Sequence, residues 1–565
     1  MALYLTKYSP IDFDKYLYHL RYLGYVYYDI NSLRYESKIM KRQVDTMKYL
    51  VTLNMSQGSG GAIHTFSRYN IENFLIKYRN VPESMLWNKK TNSISIDQKH
   101  LSRVYEKGFA QEFISLYSDF TSLRSKSGLL ASAVESCSPT DVVSYNGETL
   151  GKVTHNIKTT ANLRTYYNDF NHQQLSKNAL VAMKAPKGYT LVKGDFAQSD
   201  LKIAYNMTLK DRTNIDIMYK YPDSYEGMAR VVEGSTFDRE MFLEERQLYK
   251  ANTLGPVYGA LSAPTREASR IVNNMREYLS TLPVYNEFKT RIKKRVETGL
   301  PVTVKSYFGN SVLIDNLKDP KGILDAALNA PVQTGTSEIV IACANVIMDK
   351  FAEYGITEEN GGIYLYLNRH DELIFMINND YVNYSYIFQE CEDILVDDWM
   401  PLKIEFSYSD NYAIPNEQLD SLFKSYYKDL PPININSLIE KAKSSEYFIP
   451  CDDTLRLCVG VETRGERSVV AFYNMDSEKY TFNEIASNSP DEILKGISLI
   501  IGGKKKELLS RDITSVLVYT DLVLSDSSVM AGIPIVFKTG VDDSSYRKSK
   551  YAAREKFDEM LASEV

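Results

Sequence analysis

The stretch IYLYLNRHDELIFMI, residues 363 to 377, sets two short apolar strands on either side of a turn carrying His370, Asp371 and Glu372. Apolar residues running almost without interruption mark buried strands, so the turn between them is held on rigid flanks. A second stretch, TLVKGDFAQSDLK at 190 to 202, reads as another apolar strand closing on Asp195, with Gln198 and Asp200 just beyond it. One acid at a strand end is ordinarily a turn residue. Two strands that deliver Asp195 and Asp371 to one place would set like charges against each other, which is tolerable when divalent cations sit between them. Oxygen ligands that leave positions for water and phosphates are what Mg²⁺ prefers.

A third stretch, RQLYKANTLGPVYG at 246 to 259, spaces Arg246, Lys250, Leu254 and Tyr258 by four, so all four are expected on one face of one helix. Arg can grip a phosphate through two hydrogen bonds and Lys can face it as a point charge, so this face suits a triphosphate. Cations for phosphates and paired carboxylates for metals describe a phosphoryl-transfer site, in which two metals about 3.5 to 4 Å apart activate a hydroxyl and stabilise the leaving pyrophosphate.

Around these stretches the chain reads as an ordinary soluble globular protein. Its 565 residues, 44% hydrophobic, can bury several cores, and two or more domains are expected. A formal charge of −6 argues against a wholly basic nucleic-acid coat and leaves room for a local basic groove. Five cysteines, at 137, 343, 391, 451 and 458, form no CxxC pair, which speaks for a reducing compartment and against a structural zinc site. The first residues lack the basic start and apolar run of a signal peptide. The longest nearly apolar run, IVIACANVIM, is too short to span a bilayer, so the expected location is cytoplasmic with no membrane partner.

Residues 1 to about 130 read as mostly helical, broken at SQGSGG, and no internal repeat is found. From 180 to 412, short strands (TLVKGD, IYLYL, ELIFMI, KIEFSY) alternate with helical stretches such as 239 to 255 and 335 to 353, an α+β pattern. Residues 413 to 450 carry four prolines and look like a boundary or docked connector. Beyond it come three strands, a helix from about 490, two more strands (TSVLVYTD, IPIVFK) and a last helix from about 543.

DFAQSDLK, RQLYKANTLGPVYG and HDE, in that order, resemble the three motifs of the family A DNA polymerases, DYSQIELR, RxxxKxxxFxxxYG and HDE. RTYYNDFNHQQ (164 to 174) and ALNAPVQTGTSEI (327 to 339) are similar to two further family segments, and weaker similarity extends the resemblance over residues 20 to 412. It implies a right-hand fold of palm, fingers and thumb. The thumb would fall within 1–180, palm and fingers within 181–412 (fingers about 210–325), and 451–565 would form an additional C-terminal α/β domain. It further implies a template-directed polymerase acting on primed DNA and dNTPs with two Mg²⁺ ions, for which Mn²⁺ can substitute. Asp195, Asp371 and the carbonyl of Phe196 would bind metal, and Glu372 would lie near the primer terminus. Arg246 and Lys250 would hold the triphosphate, with Lys250 as general acid, and Leu254, Tyr258, Gln198 and Asp200 would complete the nucleotide pocket. Arg164, Asn171, Gln173, Asn329, Gln333 and His370 would touch primer, template or minor groove.

The departures concern the sugar. Asp200 is one methylene shorter than the Glu whose bulk excludes a 2′-hydroxyl, and Leu254 replaces a Phe or Tyr. A single-subunit RNA polymerase or reverse transcriptase with relaxed sugar selection is therefore one alternative, and a non-catalytic nucleic-acid-binding subunit another. About twenty residues precede the similarity, so no proofreading exonuclease domain is expected, as in compact viral or phage-like enzymes, and replication proteins or a separate exonuclease would be partners. The last 115 residues resemble the ribonuclease H-like fold, on which Glu462, Glu492, Asp521 and Asp542 (or Asp543) would form an acidic cluster. Glu in the first strand, where active members carry Asp, favours a non-catalytic clamp or docking module.

Overall fold

The computed structural model describes residues 3–5, 11–88, 91–208, 215–259, 266–297, 302–314, 320–426, 433–445, 454–464, 466–474, 479–503, 515–519, 535–538 and 552–556. Its centre is a six-stranded sheet in the order Leu3–Leu5, Asp393–Val396, Met400–Ser409, Tyr189–Ala197, Glu372–Asn378, Ile363–Arg369. Every neighbouring pair is antiparallel except the first. The near-continuous apolar run Leu373–Ile377 is buried throughout, as expected of a strand covered on both faces.

Against one face lies a helix of 33 residues, Pro320–Ala352. It begins well before the expected start at 335 and takes ALNAPVQTGTSEI into its middle, with Pro331 inside it. From Ala327 onward it is buried on nearly all sides, which apolar and small residues all around a helix require. The Phe388 ring meets Phe351 of this helix, Phe375 and Phe406 at centroid separations of 5.1, 5.4 and 5.2 Å, fixing helix and sheet together.

Toward the N-terminus, two long helices, Ile30–Gly58 and Gln111–Ser136, pack along one another. The first runs through Gln57 into the expected break and stops where Gly60 and Gly61 take left-handed backbone (φ 61° and 85°). Their far end carries its own core of Val51, Met55, Phe74, Phe113 and Phe120. The helices Ser224–Glu233, Arg239–Asn252, Arg266–Ser280 and Pro283–Glu297 form the third body.

The described residues of 413–450 include two helices, Glu417–Lys424 and Ile435–Ser444. Helix Glu417–Lys424 buries Phe423 against Tyr408 at 4.7 Å, and the Phe423 carbonyl accepts from Ser385 Oγ at 2.7 Å. The tail forms a separate five-stranded sheet, ordered Lys479–Ile485, Arg467–Asn474, Thr454–Arg464, Ser515–Tyr519, Ile535–Lys538. The first three strands are antiparallel and the last two join in parallel, with helix Pro490–Gly503 over a small core of Leu457, Val459, Val470 and Phe472. Of the expected last helix, residues 552–556 are described and helical. No helix among the described residues is long and apolar enough to cross a membrane.

Gly194, just before Asp195, is required by packing: a Cβ there would lie 2.6 Å from Phe406 Cε1 and 2.9 Å from Ile404 Cγ2. Gly194→Val is expected to cost about 1–3 kcal/mol. The check is a lower urea midpoint at unchanged slope.

Candidate active site

The central strand, Tyr189–Ala197, lies between Glu372–Asn378 and Met400–Ser409. In this register Asp195 is directly opposite Glu372 on one side and Glu405 on the other. Three carboxylates thus stand in a row across adjacent strands, an arrangement that destabilises a sheet unless something compensates. Asp371 joins them from the hairpin turn, where His370 adopts φ 59° and the Asp371 carbonyl accepts from Phe196 N at 3.3 Å. Desolvation in the cleft, then Glu372 and Asp371, push Asp195 up to about 6, while Lys193 and Lys250 oppose the shift. The site therefore brings Asp195 and Asp371 together and sets Lys250 within electrostatic reach of Asp195.

Glu372 is drawn away from its acidic neighbours. Its carboxylate accepts from the Tyr412 hydroxyl and lies 3.6 Å from Arg369 Nη1, which itself donates to Tyr412 Oη at 2.9 Å. The turn is bolted by Asn368, whose Nδ2 donates to the carbonyls of Glu372 (3.1 Å) and His370 (3.3 Å). Thr165 Oγ1, Tyr167 Oη and Gln173 Nε2 all bond Asn368 in turn. Gln173 is thereby buried, with its amide also on the Thr165 carbonyl, and Asn171 caps the short turn that holds it (Gln173 N to Asn171 Oδ1, 3.1 Å). Partial desolvation and the Arg164 and Arg369 charges hold the His370 imidazole below its usual range.

The cationic helix, Arg239–Asn252, is capped by Asp238 and anchored through Tyr249, whose hydroxyl donates to Glu233 at 2.6 Å beside Arg270. Lys250 is exposed next to it. The expected helix face carries one missing rung. Pro256 has no N–H to bond the carbonyl of Asn252, so helix Arg239–Asn252 is followed by a short one, Leu254–Val257, across Thr253, whose backbone stays helical (φ −71°, ψ −43°). Tyr258 is largely buried and its hydroxyl has no partner among the described residues. Burial, then the nearby Asp200, push that phenol up.

Asp200 opens helix Ser199–Thr208, accepts from Thr336 Oγ1 and lies 3.9 Å from Arg164 Nη2. Burial raises its carboxyl against those two partners. On the long helix, Gln333 Oε1 accepts from Asn162 Nδ2 at 2.9 Å, and Asn329 Oδ1 is buried without a partner among the described residues. Gln198 Oε1 accepts from Ser224 N at 2.8 Å, and Arg246 Nε donates to Asp223 Oδ2 at 2.5 Å. Asp223, Glu405, Arg369, Tyr412 and Asn368 were not singled out from the sequence. Glu405 alone carried a signal, its place in the alternating strand KIEFSY.

Of the tail acids, Glu462 and Glu492 are not brought together. Val459 and Val461 pack toward helix Pro490–Gly503, so Glu462 points to the opposite face, 3.4 Å from Arg464 Nε, while Glu492 is exposed on the helix itself. Asp521, Asp542 and Asp543 lie outside the described residues.

The sequence profile of DNA polymerase family A matches residues 35–414. The chain belongs to that family. Among its relatives, DNA polymerase I of Aquifex aeolicus is 27% identical over 190 residues, 32% of this chain and 31% of the relative. DNA polymerase I of Pseudomonas aeruginosa (strain PAO1) is 25% identical over 227 residues, 38% and 23% of the two chains. The chain thus matches under a third of the length of these relatives. The polymerase domain of Pol1 from M. smegmatis, solved in complex with DNA primer-template and dNTP, superposes with a TM-score of 0.53 at 16% identity, covering 70% of this chain and 69% of that one. The architecture is the right hand of this family.

The donors present fit divalent cations: oxygen only, two acids brought together, and a third carboxylate row-mate adding charge. Among the described residues no group of three or more His, Cys, Asp or Glu side chains is arranged to hold a metal ion, so Asp195 and Asp371 alone fall short of a complete protein ligand set. Because ionised Asp195 is penalised in the fold, that penalty sets in as pH rises from 3.8 toward about 6 and is complete above it. Asp195→Asn is expected to raise the melting temperature in EDTA at pH 8 by about 1–3 °C and to lose this advantage below pH 4. It should also remove the stabilisation that Mg²⁺ gives the parent, both effects being read by thermal unfolding.

Proposed function

We propose that this chain catalyses template-directed DNA synthesis, the 3′-hydroxyl of a primer attacking the α-phosphate of a bound dNTP. The observation that carries it is the meeting of Asp195 and Asp371 at the end of the palm's central strand, with Lys250 close enough to oppose in part the rise of the Asp195 carboxyl. Two Mg²⁺ or Mn²⁺ ions held by Asp195, Asp371 and the Phe196 carbonyl would supply hydroxyl activation and charge neutralisation. The chain's own residues do the rest. Arg246 and Lys250 grip the triphosphate, Lys250 gives a proton to the departing pyrophosphate, and Tyr258 borders the nascent pair. Arg164, Asn329, Gln333 and His370 face the last base pair and primer end, and Asn171 and Gln173 act beneath them by fixing the turn. Affinity for primed DNA comes mostly from phosphate contacts and weakens with salt.

Primer extension tests this directly. Asp371→Ala is expected to abolish extension, by about 10³-fold or more, while primed-DNA affinity stays within a few-fold; Lys250→Ala should slow it by about 10². DNA binding without extension in the parent would leave only a binding subunit. The orientation of Glu462 supports a docking role for the tail, so a labelled RNA–DNA hybrid in the same assay should remain uncut.

A second reading concerns the sugar. Asp200 is held by Thr336 and Arg164 while the neighbouring Tyr258 hydroxyl stays unpartnered, and Leu254 fills less of the pocket than a ring would. We infer weak exclusion of ribonucleotides. Asp200→Glu restores the missing methylene and is expected to increase the dNTP over rNTP preference by about 10-fold or more, measured as the ratio of kcat/KM values. An unchanged ratio rejects this reading.

A further inference from the structure

The strand that bears Asp195 ends at Ala197, and the next residue, Gln198, takes left-handed backbone with φ 59°. Leu, Phe or Val would rarely adopt that conformation, so the turn is held by what the side chain reaches. Its amide meets the start of helix Ser224–Glu233: Oε1 accepts from Ser224 N at 2.8 Å and Nε2 donates to Asp223 Oδ1 at 3.3 Å. Asp223 is the N-cap of that helix, its Oδ1 accepting from Tyr225 N at 3.0 Å. A cap uses one oxygen. The other, Oδ2, accepts from Arg246 Nε at 2.5 Å. A hydrogen-bonded line therefore runs from the end of the strand bearing Asp195 to Arg246 on helix Arg239–Asn252.

That line has a chemical use. A guanidinium is planar, with five N–H donors, and a bond at Nε fixes the plane while leaving donors on both terminal nitrogens. Metal ligands and triphosphate ligands sit on different elements, and transfer demands that the two sets be registered within a fraction of an ångström. An Arg held only by its flexible stem would lose rotamer freedom each time a nucleotide bound.

We propose that Asp223 is a positioning residue for the incoming nucleotide: its carboxylate grips Arg246 through Nε and, tied to the Asp195 strand by Gln198, presents the terminal nitrogens of Arg246 to the triphosphate. This rests on the polymerase reading and adds a residue to it. The opposite role is physically reasonable and separable: a carboxylate that merely neutralised Arg246 would compete with the triphosphate, and its removal would tighten nucleotide binding.

The test uses the full chain on a primer-template whose primer ends in a dideoxynucleotide, so that binding of the next correct dNTP is measured at equilibrium without turnover. Asp223→Asn keeps a capping oxygen and removes the charge. The dissociation constant for dNTP is expected to rise about 5- to 20-fold, and the same substitution in an Arg246→Ala background should change it less than 2-fold, because the two residues act as one unit. On an extendable primer the loss should fall on the half-saturating dNTP concentration more than on the maximal rate. Should Asp223→Asn fold poorly, Asp223→Ser, also a cap without charge, is read instead. An unchanged or lower dissociation constant, or an equal rise in both backgrounds, overturns the role of Asp223 while leaving the polymerase reading intact. A parent that binds no dNTP overturns both.

Discussion

Glu372, Asp195 and Glu405 stand abreast on three adjacent strands, and the rest of the palm is built to keep them there. Alternation in a strand is unforgiving: a slip of one residue would turn all three into the Phe388 core and bring Leu373, Gly194 and Phe406 to the cleft. The register is held by the core side, where Gly194 leaves the space that Phe406 occupies and Phe388 joins the sheet to the 33-residue helix. Charge crowding on one face is thus maintained by close packing on the other.

The crowding is unequal. Tyr412 and Arg369 take up Glu372 and Asp223 takes up Arg246, while the Asp195 and Asp200 carboxyls are both raised, Asp200 in spite of Thr336 and Arg164. Asp195, at the end of the central strand, is crowded by two acids. Lys250, exposed beside the anchored Tyr249, faces the same cleft. Pairing most charges internally and leaving one acid and one cation unsettled concentrates affinity where metal and phosphate would enter.

Much of this was legible in the sequence, for identifiable reasons. Short apolar runs with acids at their ends survive as strands because burial overrides local propensity, so Asp195 and Asp371 could be placed before their surroundings were known. The tail elements were equally visible, since period-two strands and a period-four helix differ plainly. What failed depended on neighbours distant in sequence. Nothing in NHQQ announces that Gln173 will turn inward to brace Asn368, some 195 positions later, or that Gln198 and Asp223, 25 apart, will meet. That Glu462 faces away from the helix depends on which side of its sheet the helix packs. The long helix began earlier than its apolar run because its first turns bury little.

The missing rung at Pro256 has a mechanical meaning. An unbroken helix would carry Arg246, Lys250, Leu254 and Tyr258 as one rigid rod, so any rotation gripping the phosphates would drag the pocket wall by the same angle. With Pro256 removing one rung of the ladder, and Tyr285 Oη bonding the carbonyls of Pro256 and Val257 at 3.2 and 3.1 Å, the second segment is moored to helix Pro283–Glu297 instead. Thr253 keeps helical backbone (φ −71°, ψ −43°), so the chain is not redirected there, but its two halves have separate anchors, Tyr249 on Glu233 before the missing rung and Tyr285 after it.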